Sequence, residues 1–262
     1  MKRIRAILKR DYASFFRSPI GYIVLEIYMF LNGIYYAGDI NSGYSDIGTQ
    51  ISSFEWVVFI LLIPLITMRI FSEDRKNGTE VLLLTSPASV WEIVAGKYLA
   101  VFSVYMTLVG GTLLFPLLTG AFAGRVDIKA LGVYIGFVGL GAAFLAIGVF
   151  ASALTENQVV AAVISISTVV FFMLIQLFAS IVGNLASGLV SAINIFGITD
   201  LQLSKVASDV TAAVNWPNPM TRLDNYAKGI FELAPIVFFI SVVAIFLFLT
   251  VRVIEKRRWS QG

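Results

Sequence analysis

The chain has 262 residues, of which 58% are hydrophobic and only 13% are charged, with a mean hydropathy of +0.86 and a net charge of +3 at pH 7. Soluble domains carry about 25% charged residues, so this composition indicates an integral membrane protein. Cysteine and histidine are both absent, which excludes disulfides, thiolate nucleophiles, imidazole bases and the usual zinc ligands. We therefore expect no catalytic residue, no metal site and no nucleic-acid partner, with the positive charge reflecting membrane topology instead.

The first 17 residues predict an amphipathic helix, because their apolar side chains recur on one face with basic residues on either side. We expect this elbow helix, residues 1–17, to lie on the inner membrane surface in contact with membrane lipids. Its predicted membrane face consists of Ile4, Leu8, Tyr12, Phe15 and Phe16. Asp11 falls within the apolar face and needs a partner. The helix is either a plain anchor or one that also touches a cytoplasmic subunit.

Runs of about 20 apolar residues predict six membrane-spanning helices. The predicted spans are 20–37, 51–68, 98–122, 130–154, 158–182 and 234–251. The fold class expected is therefore all-α and polytopic, with residues 18–262 forming a single transmembrane domain.

Basic residues are distributed unevenly around these spans. With six spans, 14 of the 19 lysines and arginines fall on one face: those before the first span, those between the second and third, and those after the sixth. The positive-inside rule makes this face cytoplasmic. Both termini and the loop over residues 69–97 are then inside, and the segment 184–233 is outside.

One ionisable residue falls well inside a predicted span. Glu26 lies about six residues past the start of the first span, at a depth where a charge is costly. Arg69, at the cytoplasmic end of the second span, is its expected counter-ion. Two interpretations stay open: a polar patch along a substrate route, or a structural ion pair or protonated carboxyl group.

The 69–97 loop is too well organised for a plain linker. Ser72 with the following acidic pair suits a helix start, Gly78 predicts a break, and Thr79 is expected to cap a second short helix that Ser86-Pro87 ends. Ser89 and the glutamate three residues later have the spacing of a capping box. The run Val81-Leu82-Leu83-Leu84 is apolar where a loop facing water should be polar. It either docks into a partner or packs under its own bundle.

Small residues and turn signals organise the second half of the chain. Gly132 and Gly136 form a GxxxG pair, which predicts close helix packing. An amphipathic helix is expected within 196–214, and a turn over 215–219.

Three stretches of the sequence resemble a known family. These are MRIFSEDRKNGTEVLLLTSPAS followed by VWEIVAGKYLA, the FRSPIGY motif at the first span, and the LTENQ turn between the fourth and fifth spans. The first closely resembles the segment after the second span of ABC type-2 exporter permeases. The resemblance covers the whole chain in layout and is greatest for the gliding-motility-associated and nitrous-oxide-accessory branch.

The resemblance implies a coupling helix that inserts into a separate ATP-binding-cassette nucleotide-binding subunit. Its residues here are Gly78, Thr79, Glu80, Val81, Leu82, Leu83, Leu84, Ser86 and Pro87. It also implies a second permease subunit, identical or related, a bacterial inner-membrane location, and re-entrant half-helices over 184–233. No GxxxxGK[ST] motif occurs, so ATP and Mg²⁺ are expected in the partner and not in this chain.

Several function classes remain at this point. The first is the membrane subunit of an ATP-driven exporter. The second is a related complex that transmits force to a periplasmic or surface accessory protein without moving a substrate. An intramembrane enzyme is disfavoured because Ser187-Gly188 has no histidine to activate it. Secondary transport is disfavoured because no inverted repeat is evident.

The topology is testable at the C-terminus. A reporter fused after Gly262 should be fluorescent as a green fluorescent protein fusion and inactive as an alkaline phosphatase fusion, because six spans return the chain to the cytoplasm. The matched phosphatase fusion after residue 215 should be active. An active phosphatase at Gly262 would instead require a seventh span.

Overall fold

In the computed structural model, described residues cover 2–41, 58–122, 128–192, 199–227 and 229–260, and within these ranges the regular structure is helical, without strands. The helices are α1 Lys2–Arg17, α2 Pro19–Asn41, α3 Ile63–Thr67, α4 Ser72–Lys76, α5 Thr79–Leu84, α6 Val90–Thr112, α7 Leu114–Phe122, α8 Ile128–Leu154, α9 Gln158–Ala192, α10 Asp200–Asn215, α11 Asp224–Ala227 and α12 Leu233–Ser260. A π-helical turn, Val58–Leu62, precedes α3, and a 3₁₀ turn, Met220–Leu223, precedes α11.

Four described helical segments are long and apolar enough to cross a membrane: Val90–Ala121, Ala130–Leu154, Gln158–Ala192 and Leu233–Arg257. A fifth is added if α1 and α2, which meet at 71°, are taken together. The four single segments coincide with the predicted spans 98–122, 130–154, 158–182 and 234–251, whereas α2, over the predicted span 20–37, is long and apolar enough only when α1 is counted with it. The remaining one, 51–68, lies partly outside the described residues. Its described part is the π-helical turn and α3, with Pro64 in the first turn of α3, where proline is tolerated.

Contacts between distant residues bring both chain termini to one end of the bundle. Arg3 Nη1 donates to the Pro87 carbonyl oxygen at 2.5 Å, and Arg257 Nη1 lies 3.4 Å from Glu80 Oε1. Arg69 Nη1 reaches Ser18 Oγ at 3.4 Å, so the chain leaves this end in α2 and has returned to it by residue 69. We call it the basic end, because α1, the 69–97 segment and the last turns of α12 meet there.

The central helix is α8, and about two-thirds of its most apolar stretch is buried inside the bundle. Its glycines allow several neighbours to approach. A Cβ on Gly148 would meet the side chain of Thr67, and one on Gly141 would meet the Tyr105 ring. At Gly132 and Gly136 the neighbours are Tyr226 and Leu223, so the predicted GxxxG pair accommodates the segment before α12. Close packing therefore fixes α8 against elements from all parts of the chain.

The fifth apolar helix extends beyond its predicted span. α9 has 35 residues, equivalent to about 52 Å, against a hydrocarbon thickness of about 30 Å. α10 packs along its far half, where Thr211 Oγ1 lies 3.2 Å from the Ala179 carbonyl oxygen, and Gly183 permits the close approach. Residues 184–192, predicted to start a re-entrant region, instead continue α9, because the sequence contains no strong helix stop before them.

The glycine contacts give a prediction for stability. Gly141→Ala should lower the free energy of unfolding by about 1–3 kcal/mol, because the new methyl group would overlap the buried ring of Tyr105. This ring is held in place by its hydroxyl group, which donates to the Phe137 carbonyl oxygen at 2.8 Å. The matched control is Gly110→Ala, where a Cβ would meet no atom within 4 Å. Thermal unfolding of both variants in detergent checks this, and equal melting temperatures would contradict it.

Candidate functional site

The segment from residue 69 to residue 97 folds into two short helices and the first turns of α6. α4 and α5 are separated by Gly78, whose φ of +71° lies in the left-handed region that favours glycine, as the sequence predicted for a break. Ser89 and Glu92 form the predicted capping box at the start of α6. Thr79 does not cap α5. Its hydroxyl instead donates back to Asp74 Oδ1 at 2.8 Å, which holds α5 against α4.

The outward face of α5 is apolar. Val81 is 53% exposed and Leu82 is 72% exposed, whereas Leu83 is half-buried and packs on the core. The side chain of Leu84 lies outside the described residues. Ser86 Oγ donates to the Leu83 carbonyl oxygen at 2.6 Å and helps to end the helix. The predicted apolar run therefore has two parts: Leu83 packs on the bundle, and Val81 and Leu82 are exposed on its surface.

A buried lysine ties this segment to the rest of the basic end. Lys97, on α6, is only 2% exposed. Its Nζ donates to Asp74 Oδ2 at 2.5 Å, to the Ile70 carbonyl oxygen at 2.5 Å and to Asp11 Oδ2 at 3.4 Å, and it lies 5.0 Å from the centre of the Phe71 ring. A buried ammonium group is stable only when oxygen atoms replace its lost water.

Arg10 completes the cluster from the side of α1. Its Nε donates to Asp11 Oδ1 at 2.6 Å, and its Nη2 lies 3.5 Å from Asp74 Oδ2. We call Arg10, Asp11, Asp74 and Lys97 the charge cluster. It contains two cations and two carboxylates, so it is balanced, and it faces a cleft of about 270 Å³ at the basic end.

Asp74 remains ionised within this cluster. Burial alone favours its protonated form, but the charge of Lys97, the hydrogen bonds from Lys97 and Thr79, and the charge of Arg10 together outweigh it and hold the pKa below its ordinary value. Asp74 is thus a partly buried member of the cluster, and Glu73 pairs with Arg69.

Two contacts from the C-terminal half anchor the segment further. Ser152, fully buried on α8, accepts the backbone N–H groups of Phe71 and Ser72 at 3.1 and 3.2 Å. It thereby satisfies the first N–H groups of α4, which has no side-chain cap of its own. On the other side, Arg257 of α12 pairs with Glu80 and donates to the Ala153 carbonyl oxygen.

The N-terminal helix makes contacts other than those the sequence predicted. Phe15, expected on the membrane face, is buried in the core beside the equally buried Asp11. Tyr12 Oη lies 3.1 Å from Thr107 Oγ1 of α6, and Ile7 lies against Gly96. The predicted face residues Ile4, Leu8 and Phe16 are half-buried. The apolar face of α1 therefore packs largely on α6, because Gly96 lets the two helices approach closely.

The predicted pair of Glu26 and Arg69 does not form. Arg69 makes two hydrogen bonds to the Glu73 carboxylate, at 2.8 and 3.0 Å, and a third to Ser18. Glu26 is exposed on α2 between Tyr22 and Phe30, which are also exposed. Glu73 follows Arg69 by four residues, which is about one helical turn, so its carboxylate is closer to Arg69 than that of Glu26, two turns into α2.

Sequence reasoning missed Lys97, Ser152 and Arg257 as members of this site. One usable signal existed: Asp11 falls in an apolar face and requires a buried cation. Among the described residues, no group of acidic side chains is arranged to hold a metal ion. The arrangement presents a short, apolar and firmly anchored helix, α5, at the basic end of the bundle.

A bundle with several helices long and apolar enough to cross a membrane defines a multi-pass membrane protein. The family model of the ABC-2 family transporter protein matches residues 8–259, almost the full length. The chain therefore belongs to the ABC-2 transporter family, as a permease subunit that works with an ATP-binding subunit. No curated protein matches the chain.

The charge cluster gives a prediction for stability. Lys97→Met should cost about 3–5 kcal/mol of unfolding free energy, because it leaves the buried Asp11 and the partly buried Asp74 without their shared cation. Lys76→Met, at an exposed position of α4, is the matched control and should be nearly neutral. Thermal unfolding of the purified variants measures both. A Lys97→Met protein as stable as the control would show that the cluster contributes little.

Proposed function

We propose that this chain is the permease subunit of an ATP-driven exporter in the bacterial cytoplasmic membrane, and that α5 is the helix by which the nucleotide-binding subunit moves it. Six spans and cytoplasmic termini are part of this proposal. The observation that carries it is the exposed apolar pair Val81 and Leu82 on a helix anchored on both sides. ATP and Mg²⁺ are bound by the partner, since this chain has no phosphate-binding loop.

Val81 and Leu82 suit a protein interface better than a free surface. At the basic end they would face water, where each exposed apolar side chain forgoes about 1.5–3 kcal/mol of burial energy. Two adjacent aliphatic anchors surrounded by polar residues resemble the centre of a docking site. Lipid is a less suitable partner for Val81 and Leu82, because the charged Glu80 and the exposed Thr85 and Pro87 lie beside them.

The anchoring of α5 suits force transmission. A six-residue helix is unstable alone, so its shape depends on contacts with the bundle. Thr79 holds it to α4, Glu80 holds it to α12, and Asp74 and Ser152 hold α4 to α1, α6 and α8. Movement of a docked partner would then move the ends of the helices attached to α5 instead of deforming a loop. Contacts that differ between the two nucleotide states would favour one position of α5 over the other.

Glu26 supports the presence of a second permease subunit. It lies about 10 Å along α2 from Pro19, and its side chain is exposed in the single chain. An ionisable group facing lipid is expensive, so such residues face a partner or a water-filled cavity. We propose that this face of α2 meets a second permease, with Glu26 at the contact or on the substrate route. The mass of the purified complex tests the pairing: two permease chains are expected for two ATPase chains.

A second candidate function is favoured by the length of α9. Its far half, packed with α10, extends beyond the bilayer thickness and could contact a periplasmic or surface accessory protein. In that case the complex would transmit force without moving a substrate, as expected for the gliding-motility and nitrous-oxide branch that the sequence resembles. ATP-dependent uptake of a candidate substrate into inverted vesicles would favour export over this alternative.

The docking proposal is tested by changing the exposed pair. Val81→Asp with Leu82→Asp should abolish co-purification of the ATPase subunit, because burying two carboxylates in an apolar interface is unfavourable. Folding should be unchanged, since both side chains are exposed.

The matched control is Asn77→Asp, which adds a negative charge beside the same helix without removing an apolar contact. It should retain the ATPase subunit. If the doubly substituted protein keeps its melting temperature and still co-purifies with a normal amount of the ATPase subunit, the proposal is wrong.

A further inference from the structure

The N-terminal helix is joined almost directly to the first apolar helix. α1 ends at Arg17 and α2 begins at Pro19, so only Ser18 separates them. The Ser18 N–H donates to the Ser14 carbonyl oxygen at 3.3 Å, and a Cβ on Gly21 would overlap the backbone of Phe15. A joint this short and this closely packed does not let the two helices move independently.

Three separate contacts fasten α1 to the elements that carry α5. Arg3 reaches the Pro87 carbonyl oxygen and lies 3.6 Å from Glu92. Ile7 packs on Gly96, where a Cβ would lie 2.9 Å from the Ile7 Cβ. The charge cluster joins Arg10 and Asp11 to Asp74 and Lys97. These contacts are spread over three turns of α1, so they restrain its rotation as well as its position.

α2, by contrast, has an open face. Tyr22, Ile23, Phe30 and Ile34 are all at least half exposed, and Gly33 and Gly38 border open space. The firmest attachment of α2 to the basic end is therefore its continuity with α1.

We infer that α1 is the element through which movement of α5 reaches α2, and that Arg10 and Asp11 are the positioning residues of this link. The inference rests on the proposed function and deepens it. Asp11 ties α1 to the buried Lys97, and Arg10 ties it to Asp74 on the helix next to α5. When the ATPase subunit displaces α5, the charge cluster carries α1 with it, and α1 tilts α2. Without the cluster, α1 keeps only its contacts through Arg3 and Ile7, and a smaller part of the displacement reaches α2.

The test uses engineered cysteines as reporters, because this chain has no cysteine of its own. Gly38→Cys places a reporter at the far end of α2, and Gly188→Cys places a control reporter at the far end of α9; a Cβ at either site meets nothing within 4 Å. The labelling rate by a membrane-impermeant maleimide is measured on the complex with its ATPase subunit, with and without ATP and vanadate. In the otherwise unchanged chain, nucleotide should change the labelling rate at residue 38.

The link is then cut from the α1 side only. Arg10→Gln with Asp11→Asn removes the two charges that α1 contributes to the charge cluster, while Lys97 keeps Asp74 and the Ile70 carbonyl oxygen. The nucleotide response at residue 38 should fall several-fold, with the ATPase subunit still bound and any response at residue 188 retained. A response of unchanged size at residue 38 would overturn the inference.

A covalent replacement separates a mechanical link from a merely structural role. Ile7→Cys with Gly96→Cys, added to the cut protein, brings two Cβ atoms near disulfide distance. Oxidation should restore the response at residue 38, and reduction should lower it again. If the cut protein folds only when oxidised, reduction after assembly gives the same comparison. No restoration on oxidation would contradict the inference, whereas an unchanged chain that binds no ATPase would refute the proposed function itself.

Discussion

The structure depends on satisfying one buried positive charge. Lys97 loses nearly all contact with solvent, and its ammonium group is compensated by oxygen atoms from three separate elements: Asp11 on α1, the Ile70 carbonyl between α3 and α4, and Asp74 on α4. Removing water from such a group is costly unless all partners are in place together. The elements that converge on Lys97 are therefore held in one arrangement, and the basic end behaves as a unit.

This constraint explains how a helix as short as α5 can be useful. Helices of six residues do not persist alone, and the apolar side chains Val81 and Leu82 would be hidden if the segment collapsed on the bundle. The hydrogen bond that Thr79 donates to Asp74 and the ion pair between Arg257 and Glu80 hold both of its sides. The apolar surface thus stays exposed, and under the proposed function the ATP-binding subunit would dock on it without an ordering cost at each encounter.

Features set by local sequence were predictable, and features set by distant pairing were not. The Ser89 capping box, the break at Gly78 and the four apolar spans from residue 90 onward follow from neighbours in the chain, and the structure confirms them. Lys97 and Asp11 are 86 residues apart, and Ser152 lies 80 residues from the N–H group it accepts. Nothing in a single sequence pairs such residues. For the same reason the sequence predicts lipid contact for the apolar face of α1, whereas in the structure Gly96 lets this face pack on α6.

The length of α9 has a further consequence. The residues just before its first turn lie beside the 69–97 segment, where Arg75 is 3.7 Å from Glu156, and the helix then extends for about 52 Å. A long helix that pivots near one end moves its other end through an arc proportional to its length. A small rotation at the basic end would therefore be magnified at the far end of α9, where α10 packs along it. Amplification of this kind requires no additional moving part.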